Sequence, residues 1–151
     1  MRKIWNNKIA MIDDDEIAIM IVERMIKKTG LAIEFNGYTS ADSFLSSIEK
    51  FGISWPSLLF VDINMPIMNG WEFLEELKNE HLLPSTQTVI CMLTSSDHPD
   101  DMSRFNQNEI VDLYFKKPFK TESFLDTLKY SRKMIAQSHN SGYNSQKIAI
   151  N

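Results

Sequence analysis

The chain has 151 residues, which is the usual length of one domain, and its 16 basic and 20 acidic residues give a net charge of -4. This acidic balance argues against direct binding of nucleic acid, and no apolar stretch is long enough for a membrane span or a secretory signal. The single cysteine, Cys91, excludes an intrachain disulfide. We therefore expect a soluble, cytoplasmic, single-domain protein with its own hydrophobic core.

Five short segments have the apolar patterns of β-strands. Residues 9–12, 58–61 and 89–93 are apolar without alternation, which is typical of strands buried on both faces of a parallel sheet. Residues 31–35 and 111–115 alternate apolar and polar positions, which is typical of strands with one less buried face. The first, third and fourth strands are thus predicted to be central, and the second and fifth to lie at the edges.

Helical patterns follow each of these strands. The apolar residues recur at helical spacing near residues 18–25, 41–48, 71–77, 99–108 and 121–135. Ser40 is placed to cap the second helix, and Gly30 is placed to end the first. The fourth helix is the least apolar, because only Met102 and Phe105 in it are clearly apolar.

Five strands alternating with five helices predict an α/β doubly wound (βα)5 domain with a five-stranded parallel sheet. Right-handed crossovers and the inferred edges favour strand order 2-1-3-4-5, which is the order of flavodoxin-like folds. The domain is expected over residues 1–136, with its core at 8–136. Residues 137–151 are rich in Ser and Asn and are expected to form a flexible polar tail, with docking of Ile148–Ile150 as the less favoured alternative.

Polar residues stand at the ends of four predicted strands. The first strand ends in Asp13 and Asp14, the third in Asp62, the fourth in Thr94 and the fifth in Lys117. Ligands bind at the carboxyl ends of strands in such sheets, near the switch in strand order. Because the first and third strands are neighbours in the predicted order, we expect the three carboxylates to converge.

Converging carboxylates repel one another, so that one must take up a proton or a cation must join them. Oxygen ligands of this kind suit Mg²⁺, with Lys117 as a fixed positive charge and Thr94 as a hydroxyl donor. Such a set suits phosphoryl transfer, and an aspartate can itself accept the phosphoryl group. Taken singly, each residue also has a structural explanation as a helix cap, a turn residue or a solvated strand end. Their common position at one edge of the sheet favours a shared pocket.

Four segments of the chain resemble the receiver domains of two-component response regulators. They are Ile9–Asp15, Leu58–Gly70, Ile90–Ser95 and Tyr114–Phe119, and the resemblance extends over residues 8–136. The most specific part is the sequence Asp-Ile-Asn-Met-Pro-Ile-Met-Asn-Gly at residues 62–70. The resemblance implies a protein that is switched by phosphorylation and has Mg²⁺ as its cofactor.

The resemblance also implies roles for the residues at the strand ends. Asp62 resembles the phosphoacceptor, which takes a phosphoryl group from a phosphohistidine of a sensor histidine kinase or a histidine phosphotransfer protein. Asp13 and Asp14 resemble the acidic pair that holds Mg²⁺ together with Asp62, and the backbone carbonyl of Asn64 would add a ligand. Lys117 resembles the lysine that pairs with the acceptor aspartate and then with the phosphoryl group.

Other matching positions belong to the switch. Thr94 resembles the switch hydroxyl, and Tyr114 resembles the aromatic residue that swings inward with it, which would change the face formed by the fourth helix, the fifth strand and the fifth helix. Asn64 and Ser96 occupy positions that tune dephosphorylation in the family. The peptide bond before Pro118 resembles a family cis peptide. The signal would pass to a downstream protein target. Formation of a phosphorylation-dependent homodimer is an alternative that the sequence does not decide.

The chain departs from the family pattern before the fifth strand, where a glycine is usual and Asn108 is expected to take its left-handed conformation. Two other functions stay open beside the switch. A Mg²⁺-dependent phosphatase with an aspartate nucleophile would carry a second acid two residues after Asp62, where this chain has Asn64. A scaffold that is never phosphorylated would not need a complete acidic pocket.

Overall fold

A computed structural model describes residues 4–84, 88–137 and 148–150 of the protein. The strands are β1 (Lys8–Ile12), β2 (Glu34–Tyr38), β3 (Leu58–Asp62), β4 (Val89–Thr94), β5 (Leu113–Lys116) and β6 (Ile148–Ile150). The helices are α1 (Glu16–Lys28), α2 (Ala41–Glu49), α3 (Gly70–Asn79), α4 (Pro99–Gln107) and α5 (Thr121–Gln137). Strands and helices alternate up to α5, as the sequence predicts for an α/β doubly wound fold.

The strands form one parallel sheet in the order β2-β1-β3-β4-β5-β6. The predicted order 2-1-3-4-5 is confirmed, and β6 extends the sheet beyond it. The prediction that β5 lies at an edge is wrong, because Ile148–Ile150 pairs with its outer side. Docking of this segment was the less favoured alternative. Of the predicted tail 137–151, Gln137 is instead the last residue of α5, and residues 138–147 and 151 lie outside the described residues.

β2 lies at an edge as predicted, but it begins later in the chain than the alternating pattern suggests. Gly30 ends α1 with a left-handed backbone at φ 69°, and Leu31 stays 43% exposed in the turn that follows. The register then starts with Glu34 opposite Lys8. Alternation alone could not fix this start, because the turn after Gly30 decides where the chain first reaches β1.

The central strands are buried on both faces, which explains their continuous apolar sequences. Alternate residues of β1 and β3 point to opposite layers, so that Ile12 and Val61 pack with α2, α3 and α4. Met11 and Phe60 pack in the other layer with α1 and α5. This two-layer core fixes the strand ends, and the residues that follow them, at one edge of the sheet.

The first four helices each begin with a side-chain cap. The caps, which accept backbone N–H groups of the first turns of α1, α2, α3 and α4, are the side chains of Asp15, Ser40, Asn69 and His98. Such caps satisfy N–H groups that have no partner within the helix. Within residues 4–84, 88–137 and 148–150, no helix is both long enough and apolar enough to cross a membrane.

α4 is the most polar helix, as its sequence predicts, and it buries only Asp101 and Phe105. The segment that follows it differs from the expectation for Asn108. This residue has φ -87° and is therefore not left-handed. Its side-chain oxygen instead accepts the N–H groups of Ile110 at 2.8 Å and Val111 at 3.2 Å, and this turn replaces the glycine.

Candidate functional site

The carboxyl ends of β1 and β3 bring three carboxylates together. Asp13 and Asp62 are buried, at 0% and 3% exposure, whereas Asp14 is exposed. One oxygen atom of each residue lies within 4.8 Å of the others. The structure thus places the three predicted acidic residues in one cluster, which opens to solvent on the side of Asp14.

Lys117 joins this cluster from the end of β5. Its Nζ atom lies 2.6 Å from Oδ2 of Asp13 and 3.5 Å from Oδ1 of Asp62. Its backbone N–H donates to the carbonyl oxygen of Thr94 at 2.7 Å, and its peptide bond to Pro118 is cis. Burial lowers the pKa of Lys117, but the two carboxylates outweigh this effect and hold it above its ordinary value. Lys117 is therefore a positively charged neighbour of both buried acids.

Among the acids of the cluster, Asp62 has the pKa that its surroundings shift most clearly. Burial and the charge of Asp13 raise the pKa of its carboxyl from 3.8 to about 7, although Lys117 and the N–H of Asn64 oppose this rise. Lys117 therefore does not offset the combined effect of burial and the charge of Asp13 on the pKa of Asp62. A divalent cation with a preference for oxygen ligands would balance the negative charge of the cluster, and these residues fit Mg²⁺.

Thr94 occupies the other side of the pocket and is 1% exposed. Its hydroxyl oxygen accepts the N–H of Ser96 at 3.0 Å and an N–H of the Asn64 side chain at 3.4 Å. The backbone N–H of Asn64 donates to Oδ1 of Asp62 at 3.3 Å. Asn64 therefore links the buried acid to the hydroxyl, and Ser96 holds the hydroxyl from the loop after β4.

Tyr114 lies on β5, next to the strand that carries Thr94, and is buried, at 6% exposure. Its ring centre lies 5.3 Å from that of Phe105 on α4. Burial and the nearby charge of Asp101 raise the pKa of its hydroxyl above the ordinary value. Tyr114 is therefore a buried residue of β5 that packs against α4.

The structural explanations that the sequence left open apply to some of these residues. Asp15 is the cap of α1, because its Oδ1 accepts the N–H of Ile17 at 2.9 Å. Asp13 also has a local role, since its Oδ1 accepts the N–H of Asp15 at 2.9 Å. Of these neighbouring acids, Asp15 caps α1, whereas Asp13 and Asp14 belong to the cluster.

A buried hydrogen bond that the sequence did not reveal connects α3 to α4. Nε1 of Trp71 donates to Oδ1 of Asp101 at 3.0 Å, and both residues are buried. The sequence marked Trp71 as a core residue of α3 and did not mark Asp101. The available signal was spacing, because Asp101 and Phe105 are four residues apart and therefore share one face of α4.

Gly70 allows α3 to start directly against the end of β3. A Cβ atom at this position would lie 2.7 Å from the carbonyl oxygen of Asp62 and 2.9 Å from Cα of Ile63. The N–H of Gly70 donates to the carbonyl oxygen of Ile63 at 2.9 Å. The absence of a side chain here therefore fixes the loop that leaves Asp62.

Two clefts lie along α3 and α4. A cleft of about 260 Å³ begins at Asn64 and Ser96 and runs towards Arg104 on α4. A larger cleft of about 630 Å³ lies between α3 and α4 and shares Trp71 and Arg104 with the first. The larger volume is therefore away from Asp13, Asp14 and Asp62.

A doubly wound sheet with an acidic cluster, a lysine and a hydroxyl at the carboxyl ends of its strands defines a receiver-type domain. The model of the response regulator receiver domain family matches residues 9–129. The chain therefore belongs to the response regulator receiver domain family.

Individual relatives agree with this assignment. The chain is 32% identical over 124 residues to Protein PilG of Pseudomonas aeruginosa, covering 81% of this chain and 84% of PilG. A two-component response regulator from Cytophaga hutchinsonii superposes with a TM-score of 0.73 at 28% identity, covering 82% of this chain and 95% of that one. A two-component response regulator from Legionella pneumophila gives a TM-score of 0.71 at 26% identity, covering 83% and 98%.

Family membership establishes the general role of the chain. Receiver domains belong to two-component signalling systems, where they act as phosphoacceptor switches and generally not as enzymes. They bind Mg²⁺ at an acidic pocket and interact with kinases or phosphotransfer proteins and with downstream targets.

Proposed function

We propose that Asp62 accepts a phosphoryl group from a phosphohistidine of a sensor histidine kinase or a histidine phosphotransfer protein. The observation that carries this proposal is the environment of Asp62. This carboxyl group is 3% exposed, has a pKa of about 7, and lies beside both Lys117 and a second buried acid, Asp13. A purely structural aspartate at the end of a strand would not need two acids and a lysine around it.

In the proposed reaction, a carboxylate oxygen of Asp62 attacks the phosphorus atom of the phosphohistidine. The new O–P bond forms while the P–N bond breaks, and its electron pair stays on the imidazole nitrogen of the donor. Lys117 then pairs with the oxygens of the transferred group, because its Nζ lies 3.5 Å from Oδ1 of Asp62. The Thr94 hydroxyl turns from the Ser96 N–H towards the same group.

The residues that would hold Mg²⁺ for this reaction are Asp13, Asp14, Asp62 and, through its backbone carbonyl, Asn64. A bound ion would supply positive charge that offsets the charge of the phosphoryl oxygens. The cluster geometry supports the three carboxylate ligands, because one oxygen atom of each lies within 4.8 Å of the others.

The switch would act through Thr94 and Tyr114 on the face of α4, β5 and α5, which would bind a downstream protein target or a second copy of the chain. Contacts of Tyr114 with Phe105 support this route, because they join β5 to the weakly buried α4. Asn64 and Ser96 would set the lifetime of the phosphoryl group, since both hold the hydroxyl of Thr94.

A test of the proposal is incubation of the full chain with Mg²⁺ and acetyl phosphate, followed by intact mass measurement. We expect one added phosphoryl group that hydroxylamine removes, as for an acyl phosphate. Asp62→Asn should abolish the addition, while the matched Asp15→Asn variant, which alters only the cap of α1, should keep it. If folded wild-type protein in the presence of Mg²⁺ gains no mass, the result would instead support a binding scaffold that is never phosphorylated. Repeated turnover of a phosphate ester would support the phosphatase.

A further inference from the structure

α4 is attached to the rest of the domain through a small number of buried side chains. Phe105 packs against Tyr114 of β5, with ring centres 5.3 Å apart, and Met102 is partly buried in the same layer. Asp101, one helical turn before Phe105, accepts the Nε1–H of Trp71 from α3 at 3.0 Å. The position of α4 therefore depends on apolar contacts towards β5 and on a polar contact towards α3.

The polar contact is a buried carboxylate with a neutral donor. Asp101 is 8% exposed, and in residues 4–84, 88–137 and 148–150 no basic side chain forms an ion pair with it. Exchanging water for a neutral N–H gives a buried carboxylate little net stabilisation. The hydrogen bond therefore holds α4 in place, but a donor of equal or greater strength can replace Trp71.

A second donor, the hydroxyl of Tyr114, lies near Asp101. Burial and the charge of Asp101 raise the pKa of this hydroxyl above its ordinary value, whereas a hydrogen bond with the Thr94 side chain opposes the rise. The ring of Tyr114 is held by Phe105, which shares one face of α4 with Asp101. The Tyr114 hydroxyl is therefore placed between the hydroxyl of Thr94 and the carboxylate of Asp101.

The first donor, Trp71, is fixed relative to the acidic cluster by the start of α3. It directly follows Gly70, which is pressed against the backbone that leaves the sheet after β3. A Cβ atom at Gly70 would lie 2.7 Å from the carbonyl oxygen of Asp62, so the two segments are in close contact. Asp101 is thus connected to the end of β3 through α3, as well as to the end of β4 through Tyr114.

We propose that Asp101 is the positioning residue of α4 and that phosphorylation transfers it from the N–H of Trp71 to the hydroxyl of Tyr114. This exchange rests on the proposed function, in which the Thr94 hydroxyl turns towards the phosphoryl oxygens. The turn takes away the hydrogen bond between Thr94 and Tyr114, and an unpartnered buried hydroxyl is costly. A bond from this hydroxyl to the Asp101 carboxylate restores a partner and is charge-assisted. The exchange releases α4 from α3.

The Nε1–H of Trp71 reports on this bond directly in the ¹⁵N-labelled full-length protein. The chain has three tryptophans, so Trp5→Phe and Trp55→Phe assign its signal by elimination. Mg²⁺ with beryllium fluoride, which occupies the place of a phosphoryl group on a carboxylate, serves as the probe. We expect hydrogen exchange of the Trp71 N–H to become about tenfold faster when the probe binds. Asp62→Asn should abolish this change.

Tyr114→Phe separates the exchange of partners from a general loosening of α4. This variant keeps the ring that packs against Phe105 and loses the hydroxyl that replaces Trp71. It should still bind beryllium fluoride, but hydrogen exchange of the Trp71 N–H should stay within about twofold of its rate in the free protein. Asp101→Asn is the conservative control, since its amide oxygen can still accept the Trp71 N–H and should keep it protected in the free protein.

Trp71→Phe provides a readout that a merely structural role of the bond would not give. Because the free form loses a bond that the bound form has already exchanged, beryllium fluoride should bind this variant about fivefold more tightly than the wild type. Asp100→Ala, at an exposed neighbour of Asp101, should bind the probe as the wild type does. If Trp71→Phe folds poorly, the Trp71 signal of the wild type and of Tyr114→Phe still decides the matter.

Three outcomes would overturn the role of Asp101. Unchanged exchange at Trp71 in a wild type that binds the probe would do so and leave the phosphorylation of Asp62 standing. Equal acceleration in Tyr114→Phe would show that the hydroxyl does not take over the carboxylate. If the wild type neither binds beryllium fluoride nor gains mass from acetyl phosphate, the proposed function fails, and the role of Asp101 fails with it.

Discussion

Nζ of Lys117 lies 2.6 Å from Oδ2 of Asp13, although 104 positions separate these residues in the chain. The contact joins the end of β5 to the end of β1 across two intervening strands, β3 and β4. It places the lysine beside Asp62 as well, at 3.5 Å. The Lys117 side chain therefore contacts both buried acids of the cluster, and its removal is the most direct test of the site.

The first prediction concerns Lys117→Ala. Loss of this charge should slow phosphorylation by acetyl phosphate on the order of 100-fold, because a positively charged group that meets the transferred oxygens is removed. Mg²⁺ should still bind, since its expected ligands remain. Intact mass against time and a calorimetric Mg²⁺ titration measure the two effects.

Lys116→Ala is the matched control, because this neighbouring lysine pairs with the exposed Asp97 and not with the cluster. It should keep the wild-type rate. If Lys117→Ala is phosphorylated as fast as the wild type, the role assigned to Lys117 is wrong.

A second prediction concerns pH in the absence of metal. The pKa of Asp62 is about 7 in the folded protein and near the ordinary 3.8 when unfolded, because burial and Asp13 act only in the fold. Between these values the folded state binds more protons, so the free energy of unfolding should fall as pH rises from about 4 to about 7 and change little above that. Urea denaturation in EDTA across this range measures the slope.

Asp62→Asn should remove most of this slope, since the amide does not titrate. Saturating Mg²⁺ should also reduce it, because the cation stabilises the ionised cluster. A wild-type slope that survives in Asp62→Asn would show that other groups carry the pH dependence.

A third prediction concerns stabilisation by Mg²⁺. A ligand that binds only the folded state adds about 1.4 kcal/mol to the free energy of unfolding when its concentration is about tenfold above Kd. Asp14→Asn should weaken this effect, because it removes the exposed carboxylate of the cluster. Glu16→Gln removes a nearby acid that is outside the cluster and should behave as the wild type. Thermal melts with and without Mg²⁺ decide between these outcomes, and equal shifts in all three proteins would contradict the proposed ligand set.

The fourth prediction concerns the hydrogen bond between Trp71 and Asp101. Trp71→Phe should lower the free energy of unfolding by about 2 kcal/mol, because it leaves a buried carboxylate without its donor. The double variant Trp71→Phe with Asp101→Leu should recover part of this loss, since neither polar group then remains. Asp100→Ala, at an exposed neighbour, is the control. Strictly additive losses in the double-mutant cycle would show that the two residues do not interact.

The sequence by itself determined the class of fold and named the acids and the lysine that the structure brings together. Continuous apolar segments marked the central strands, because both faces of these strands are covered by helices. The acids, the hydroxyl and the lysine stood at strand ends, and parallel strands bring their carboxyl ends to one edge. The order 2-1-3-4-5 followed from the same patterns together with the known order of flavodoxin-like folds.

Tertiary structure decided what depends on contacts between distant segments. The start of β2 was set by the turn after Gly30 and by the register with β1, which alternation cannot fix. The partner of Asp101 could not be predicted, because a buried carboxylate has the same sequence appearance as an exposed one until its donor, Trp71, is known. The pairing of Ile148–Ile150 with β5 was likewise undecided, since a three-residue apolar segment is too short to predict a strand and only the open edge of β5 gave it ladder partners.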